Sequence, residues 1–176
     1  MPRRNRSRPD AVDFMLAEWQ RECPDIDASG MAVFGRLHRA YYRYQDELAR
    51  VFGSFDLTIA GFGILASLRR AGAPYRRTAG ELADGLLVTT GGITQRVDKL
   101  ESAGLVERER DSEDRRVVYV QLTEKGVDFV ERVGSEHFAN ENRMLSGLNR
   151  EDRERLADLL SRLELSLDHT AAQSGG

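Results

Sequence analysis

Residues 78–123 read TAGELADGLLVTTGGITQRVDKLESAGLVERERDSEDRRVVYVQLT, and the succession of patterns along them decides the fold. Thr78 offers a hydroxyl to a helix N-terminus, and Glu81 stands three residues on to complete a capping box. A short helix is expected from Ala79 to about Leu86. A second pair of hydroxyls, Thr89 and Thr90, precedes a new apolar repeat, which predicts a helix over 90–103. Gly104 suits the left-handed position that ends helices. The stripe of this second helix is Ile93, Val97 and Leu100, at i, i+4 and i+7. Leu105 and Val106 then run through Glu107 to Arg110 into a polar turn, Asp111 to Arg116. Val117, Val118, Tyr119, Val120 and Leu122 return as a strand, because β-branched and aromatic side chains suit a pleated surface. Two short helices followed by a hairpin with a charged tip predict a winged helix-turn-helix, a unit that reads DNA.

At 100° per residue the buried stripe of the second helix centres near Ile93 and Val97. Gly91, Gln95 and Asp98 fall opposite, with Thr94 on the shoulder. In a helix-turn-helix that outward face enters the major groove. Gln95 can pair with adenine through two hydrogen bonds, and Thr94 or Thr90 can reach a phosphate or a thymine methyl. Thr89, Thr90, Gly91, Thr94 and Gln95 are therefore the expected DNA contacts on this element. Arg96 lies about 60° from the stripe centre and is placed for an internal pairing instead. At the hairpin tip, Asp114, Arg115 and Arg116 match the electronegative minor groove. Asp114 is expected to pair with Arg116 across the turn and hold its guanidinium.

The remaining chain frames this unit. Residues 1–9 form a basic tail with Arg3, Arg4, Arg6 and Arg8 and no apolar anchor, read as disordered or as a phosphate-touching arm. Residues 10–23 predict a helix capped by Asp10, with Val12, Leu16 and Trp19 on one face and Cys23-Pro24 at its end. From about Ser29 to Phe52, Phe34, Leu37, Tyr41, Tyr44, Leu48 and Val51 recur at heptad spacing, and Gly53 stops the helix. Thr58 to Ala71 is the next helix, with Gly61 and Gly63 inside it. Thr123 caps a helix whose stripe starts at Val127, Val130 and Val133 and closes at Met144, Leu145 and Leu148. Asn149 with Asp152 caps the last one, striped by Leu156, Leu159, Leu160, Leu163 and Leu167. Residues 170–176 read as a frayed tail. The terminal helices carry more apolar surface than a small winged domain covers, so a symmetric homodimer built from 31–53 and 124–168 is expected around a DNA-binding lobe at about 57–123.

Composition narrows the class. The 176 residues are 40% apolar, enough for one core, and a single cysteine precludes a disulfide framework and suits the cytoplasm. No apolar run approaches the roughly 20 residues of a membrane span. The net charge of −3 argues against a general affinity for nucleic acid, and residues 76–116 hold 8 Lys and Arg against 9 Asp and Glu. A DNA reading therefore rests on where the charges sit. His38, His137 and His169 have no ligand spacing, so no metal or other cofactor is expected. No phosphate loop, nucleophile–base pair or paired-carboxylate motif points to an enzyme.

The order of elements resembles the MarR family of bacterial transcription regulators. So do GGITQRVDKLE at 91–101, GLVER at 104–108, DRR at 114–116 and LTEKG at 122–126. The likeness covers about 31–168 of a winged-helix domain spanning 29–168. It implies a dimer that binds a pseudo-palindromic operator and represses until a small ligand or oxidant loosens it. Glu18 to Asp25, followed by Met31-Ala32-Val33, is similar to a branch with an extra first helix, some members of which respond to urate or related organic anions. The resemblance implies ligand contacts from Trp19, Arg96 and Arg108; where those relatives carry an acid this chain has Gly63, which disfavours urate itself. Two alternatives stand beside this one: a repressor switched by oxidation of Cys23, and a winged-helix interaction module that does not bind DNA.

Overall fold

The computed structural model describes residues 8–85, 92–114 and 116–174. Four expected DNA contacts, Thr89, Thr90, Gly91 and Arg115, lie outside the described residues, as do the tail arginines before Arg8. The chain forms two compact units, Met1–Ile59 and Ala60–Gly176.

In the first unit, α1 (Ala11–Glu22) opens on Asp10, whose carboxylate accepts from the N–H groups of Val12 and Asp13 at 2.9 and 3.1 Å. The Asp13 carboxylate accepts in turn from the Asp10 N–H at 3.0 Å, so the start of the helix is closed from both sides. α2 (Met31–Gly53) packs on α1. The approach depends on Gly35, where a Cβ would lie 3.2 Å from the buried side chain of Val12. Arg36 then reaches Asp10 at 2.9 Å and Asp13 at 2.7 Å. That hydrogen-bonded guanidinium holds the Asp10 pKa down at about 2. The heptad seam of α2 is buried only at its C-terminal end, through Leu48 and Val51, whereas Phe34, Leu37 and Tyr41 face outward. The helix ends at Gly53, one residue later than expected. The chain turns where the Ser54 hydroxyl donates to the Val51 carbonyl at 2.7 Å and Asp56 takes φ 51°.

The second unit holds the rest: α3 (Ile59–Arg70), β1 (Arg76–Thr78), α4 (Ala79–Gly85), α5 (Ile93–Ser102), β2 (Val106–Arg110), β3 (Val118–Leu122), α6 (Glu124–Met144) and α7 (Arg150–Ser174). The capping box at α4 is formed, with the Glu81 carboxylate accepting from the Thr78 N–H at 2.7 Å and Thr78 Oγ1 accepting from the Glu81 N–H at 3.3 Å. The hairpin pairs Val106 with Leu122 and Arg110 with Val118. The sheet has a third strand: the order is β1-β3-β2, with Arg76 opposite Gln121 and Thr78 opposite Tyr119. β1 reads Arg-Arg-Thr and has no apolar alternation. It is a strand because β3 offers it an open edge. Leu65, Leu68, Leu82, Val97, Val106, Val120 and Val133 are buried, and α5, α6 and the sheet pack around them.

Two expectations for the terminal helices change. The buried face of α6 continues from Val130 and Val133 to His137 and Asn140, because steps of three and four from Val130 reach those residues, while Met144 and Leu145 are exposed. The backbone of α7 remains helical through the stretch expected to fray, as far as Ser174. Asn149 caps α7 as expected, accepting from the Asp152 N–H at 2.8 Å.

Candidate nucleic-acid interface

The helix expected over 90–103 begins later. Gly92 adopts φ 81°, outside the right-handed helical region, and α5 starts at Ile93. Thr94 and Gln95 therefore sit in its first turn, at the positive end of the helix dipole. Ile93, Val97 and Leu100 are buried, Thr94, Gln95 and Asp98 are exposed, and Arg96 is half-buried between the two faces, as the helical geometry predicts.

The far end of α5 is anchored by α6. Gly104 at φ 68° donates its N–H to the Glu101 carbonyl at 2.8 Å, and Leu105 donates to Leu100 at 3.0 Å. Lys125 Nζ then donates to the Ala103 carbonyl at 2.7 Å, and the Thr123 hydroxyl donates to the Gly104 carbonyl at 2.8 Å. The closest approach is at Gly126, where a Cβ would stand 1.9 Å from the Leu105 carbonyl oxygen. The helix that presents Thr94 and Gln95 is thus fixed at its base by side-chain hydrogen bonds to backbone carbonyls and by the close approach at Gly126.

The wing resolves the charge problem that composition raised. Residues 107–110 of β2 read Glu-Arg-Glu-Arg, and alternate side chains of a strand point to opposite faces. Arg108 and Arg110 share one face; Glu107 and Glu109 share the other. Arg108 donates to the carboxylates of Asp98 and Glu101, both on α5. The hydrogen bond to Asp98 leads in strengthening its hold on the proton. Glu109 is taken up separately by Arg76 at 3.3 Å, whose guanidinium lies 4.3 Å from the Tyr119 ring centroid. These acids are answered inside the unit. Lys99, Arg110 and Arg116 are exposed and form no ion pair among the described residues.

At the tip, Asp111 accepts from the N–H groups of Asp114 at 3.0 Å and Glu113 at 2.8 Å, and these bonds lower its pKa. Asp114 does not hold the Arg116 guanidinium. Its carboxylate accepts from the Arg116 backbone N–H at 3.0 Å, which shapes the turn and leaves the Arg116 side chain without an ion pair among the described residues. Asp111, Lys99, Arg110 and the pairing of Arg108 with Asp98 and Glu101 were not read from the sequence, although Asp98 was placed on the outward face and Arg108 among the effector contacts. The Glu-Arg-Glu-Arg alternation was the signal available for the two arginines. Of the expected effector contacts, Arg108 is bound by two carboxylates, Arg96 is half-buried, and Trp19 belongs to the first unit.

A short helix, a second helix with a polar outward face, and an antiparallel wing with cations at its tip define a winged helix-turn-helix protein. The family model for the MarR family matches residues 55–117. PecS of Dickeya dadantii (strain 3937), an HTH-type transcriptional regulator, is 37% identical over 156 residues, which cover 89% of this chain and 94% of PecS. MhqR of Bacillus subtilis (strain 168), also an HTH-type transcriptional regulator, is 31% identical over 136 residues, 77% of this chain and 92% of MhqR. Among solved structures, Bordetella bronchiseptica BpsR, whose DNA binding is regulated by 6-hydroxynicotinic acid, superposes with a TM-score of 0.66 at 25% identity, covering 75% of this chain and 92% of BpsR. The chain belongs to the MarR family of transcriptional regulators, DNA-binding proteins rather than enzymes. Among the described residues no helix is long and apolar enough to cross a membrane.

Proposed function

We propose that this regulator is a cytoplasmic, ligand-responsive repressor that binds a pseudo-palindromic operator as a homodimer. α5 enters the major groove with Thr94 and Gln95 at base edges, and Arg116, with Arg110 beside it, follows the minor groove alongside. The observation that carries this is the separation of charge on the wing. Arg108 pairs with the two acids of α5, while the exposed Arg110 and Arg116 form no ion pair among the described residues. Thr89, Thr90, Gly91, Asp114 and Arg115 complete the proposed contact set. A small organic anion is the proposed effector, by analogy with BpsR, engaging Arg108 and Arg96, with Trp19 implied by the family branch. The regulator binds, on this proposal, a fragment from the intergenic DNA upstream of its own gene.

A gel-shift titration of that fragment across salt concentrations tests it. Log affinity should fall linearly with log salt, with a slope near the number of phosphates contacted. An aromatic carboxylate such as 6-hydroxynicotinate should release the DNA. No shift in dilute buffer, or a salt-independent one, would leave the winged unit as a protein-interaction module.

A further inference from the structure

Three successive carbonyls at the end of α5 are each taken by a donor from the start of α6. The Ala103 carbonyl accepts from Lys125 Nζ at 2.7 Å, the Gly104 carbonyl from the Thr123 hydroxyl at 2.8 Å, and the Leu105 carbonyl from the Thr123 N–H at 3.2 Å. Thr123 has a second duty, since its hydroxyl also caps α6 by accepting from the Gly126 N–H at 3.0 Å. Lys125 has no such duty to its own helix. It is exposed, and a cation in the first turn of α6 stands at the unfavourable end of that helix's dipole. The ammonium lies instead at the C-terminus of α5, where a positive charge is favoured and a charge-assisted hydrogen bond is strong. Its path passes over Gly104, where a Cβ would come within 3.8 Å of Nζ.

We propose that Lys125 is a positioning residue for base reading: it ties the C-terminal end of α5 to α6 and so sets the angle at which Thr94 and Gln95 are offered to the groove. This role rests on the proposed reading of α5 as the groove helix. Thr94 and Ala103 are separated by about 13 Å of helix at 1.5 Å per residue. A tilt of about 5° at the base therefore moves the first turn by about 1 Å, more than a hydrogen bond to a base edge survives. Contacts to phosphate position the protein without carrying sequence information, and flexible cations maintain them through such a tilt. Loss of Lys125 is thus read as a loss of preference between DNA sequences rather than of affinity for DNA as such.

The full-length protein is titrated in a gel shift against the intergenic fragment upstream of its own gene and against a fragment of the same length and composition with its bases shuffled. Lys125→Met keeps the stem of the side chain and removes its charge and its donors. It should cut the preference for the intergenic fragment by about tenfold. Affinity for the shuffled fragment, the salt slope, the melting temperature and the sedimentation should remain those of the unaltered protein. Lys125→Arg, which can still donate to the Ala103 carbonyl, should restore the preference. An equal loss on both fragments, with the salt slope reduced by about one, would show the ammonium touching phosphate itself and would overturn the proposal. A lowered melting temperature with loss on both fragments, an unchanged preference in Lys125→Met, or an arginine variant that behaves as the methionine one would overturn it too. An unaltered protein with no preference between the two fragments would instead overturn the groove reading of α5, and this role with it.

Discussion

Arg108 and Arg116 belong to the same wing, yet their surroundings set them different tasks. Arg116 has no ion pair among the described residues and stands at the tip, where a cation meets phosphate or the minor groove. Replacing it with alanine should weaken operator binding by roughly tenfold and lower the salt slope by about one, with the oligomeric state unchanged by sedimentation. Arg108 faces Asp98 and Glu101, and on the proposed function it serves DNA binding by cancelling their charge. The variant Arg108→Gln exposes two acids to the duplex and should bind operator at least as poorly as the Arg116→Ala variant. The triple variant Asp98→Asn/Glu101→Gln/Arg108→Gln removes the repulsion together with its remedy and should recover most of the lost affinity. If the triple variant binds as weakly as the single one, the arginine bolts the wing to α5 rather than cancelling charge. The same result would move the proposed anion effector off this position.

Elements are set against one another by a few contacts of short range, and two can be tested directly. Gly126 brings the first turn of α6 onto the C-terminus of α5, and a methyl group there would collide with the Leu105 carbonyl at 1.9 Å. Gly126→Ala should therefore cost about 2 kcal/mol or more through forced separation, a fall of roughly 4–8 °C in melting temperature for a chain of this size. The second contact holds α1 on α2 through Asp10, Asp13 and Arg36. Asp10 has its pKa depressed from 3.8 to about 2, mainly by the Arg36 hydrogen bond. A depressed carboxylate contributes stability that is full above its unfolded pKa and is lost as pH falls through the folded value. Trp19 emission should accordingly hold steady down to about pH 4 and change between there and pH 2, and Asp10→Asn should remove that transition. These contacts also show how far the amino-acid sequence could be read. The Asp10 cap, the Thr78–Glu81 box, the stripe of Ile93, Val97 and Leu100, and the hairpin are local, and spacing alone reveals them. β1 was not visible, because its three residues are strand only by pairing with β3. The start of α5 was misjudged because threonines suit a cap by composition, while the backbone turns at Gly92. The Arg108 pairing joins residues ten positions apart across two elements, and no single-element periodicity contains it.

At the scale of the whole molecule the argument turns on surface that one chain leaves uncovered. In α7, Leu156, Leu159, Leu160, Leu163 and Leu167 lie at i, i+3, i+4, i+7 and i+11, and all but the half-buried Leu163 are exposed, each at 42–48%. In α2 the N-terminal seam residues Phe34, Leu37 and Tyr41 are exposed as well. On the proposed function these stripes meet a protein partner, and a second copy is the one always present at equal concentration. The copy also serves the proposed function: two α5 helices related by a two-fold axis meet successive major grooves only if a stiff connection holds them about 34 Å apart. A monomer would keep the contacts of one half-site and lose the gain of the second, which for linked modules is on the order of 10²–10⁴ in affinity. Leu160→Glu places a charge at the middle of the α7 stripe, on an exposed position whose own helix tolerates it. The variant should sediment as a folded monomer with unchanged helical circular dichroism, and its operator affinity should drop by at least a hundredfold. The melting temperature of the unaltered protein should rise with concentration, as it does when folding and association are linked, and that of the variant should not. A variant that remains dimeric would show that α2, rather than α7, supplies the association surface. An unaltered protein that sediments as a monomer at micromolar concentration would remove the two-fold reading of the operator altogether.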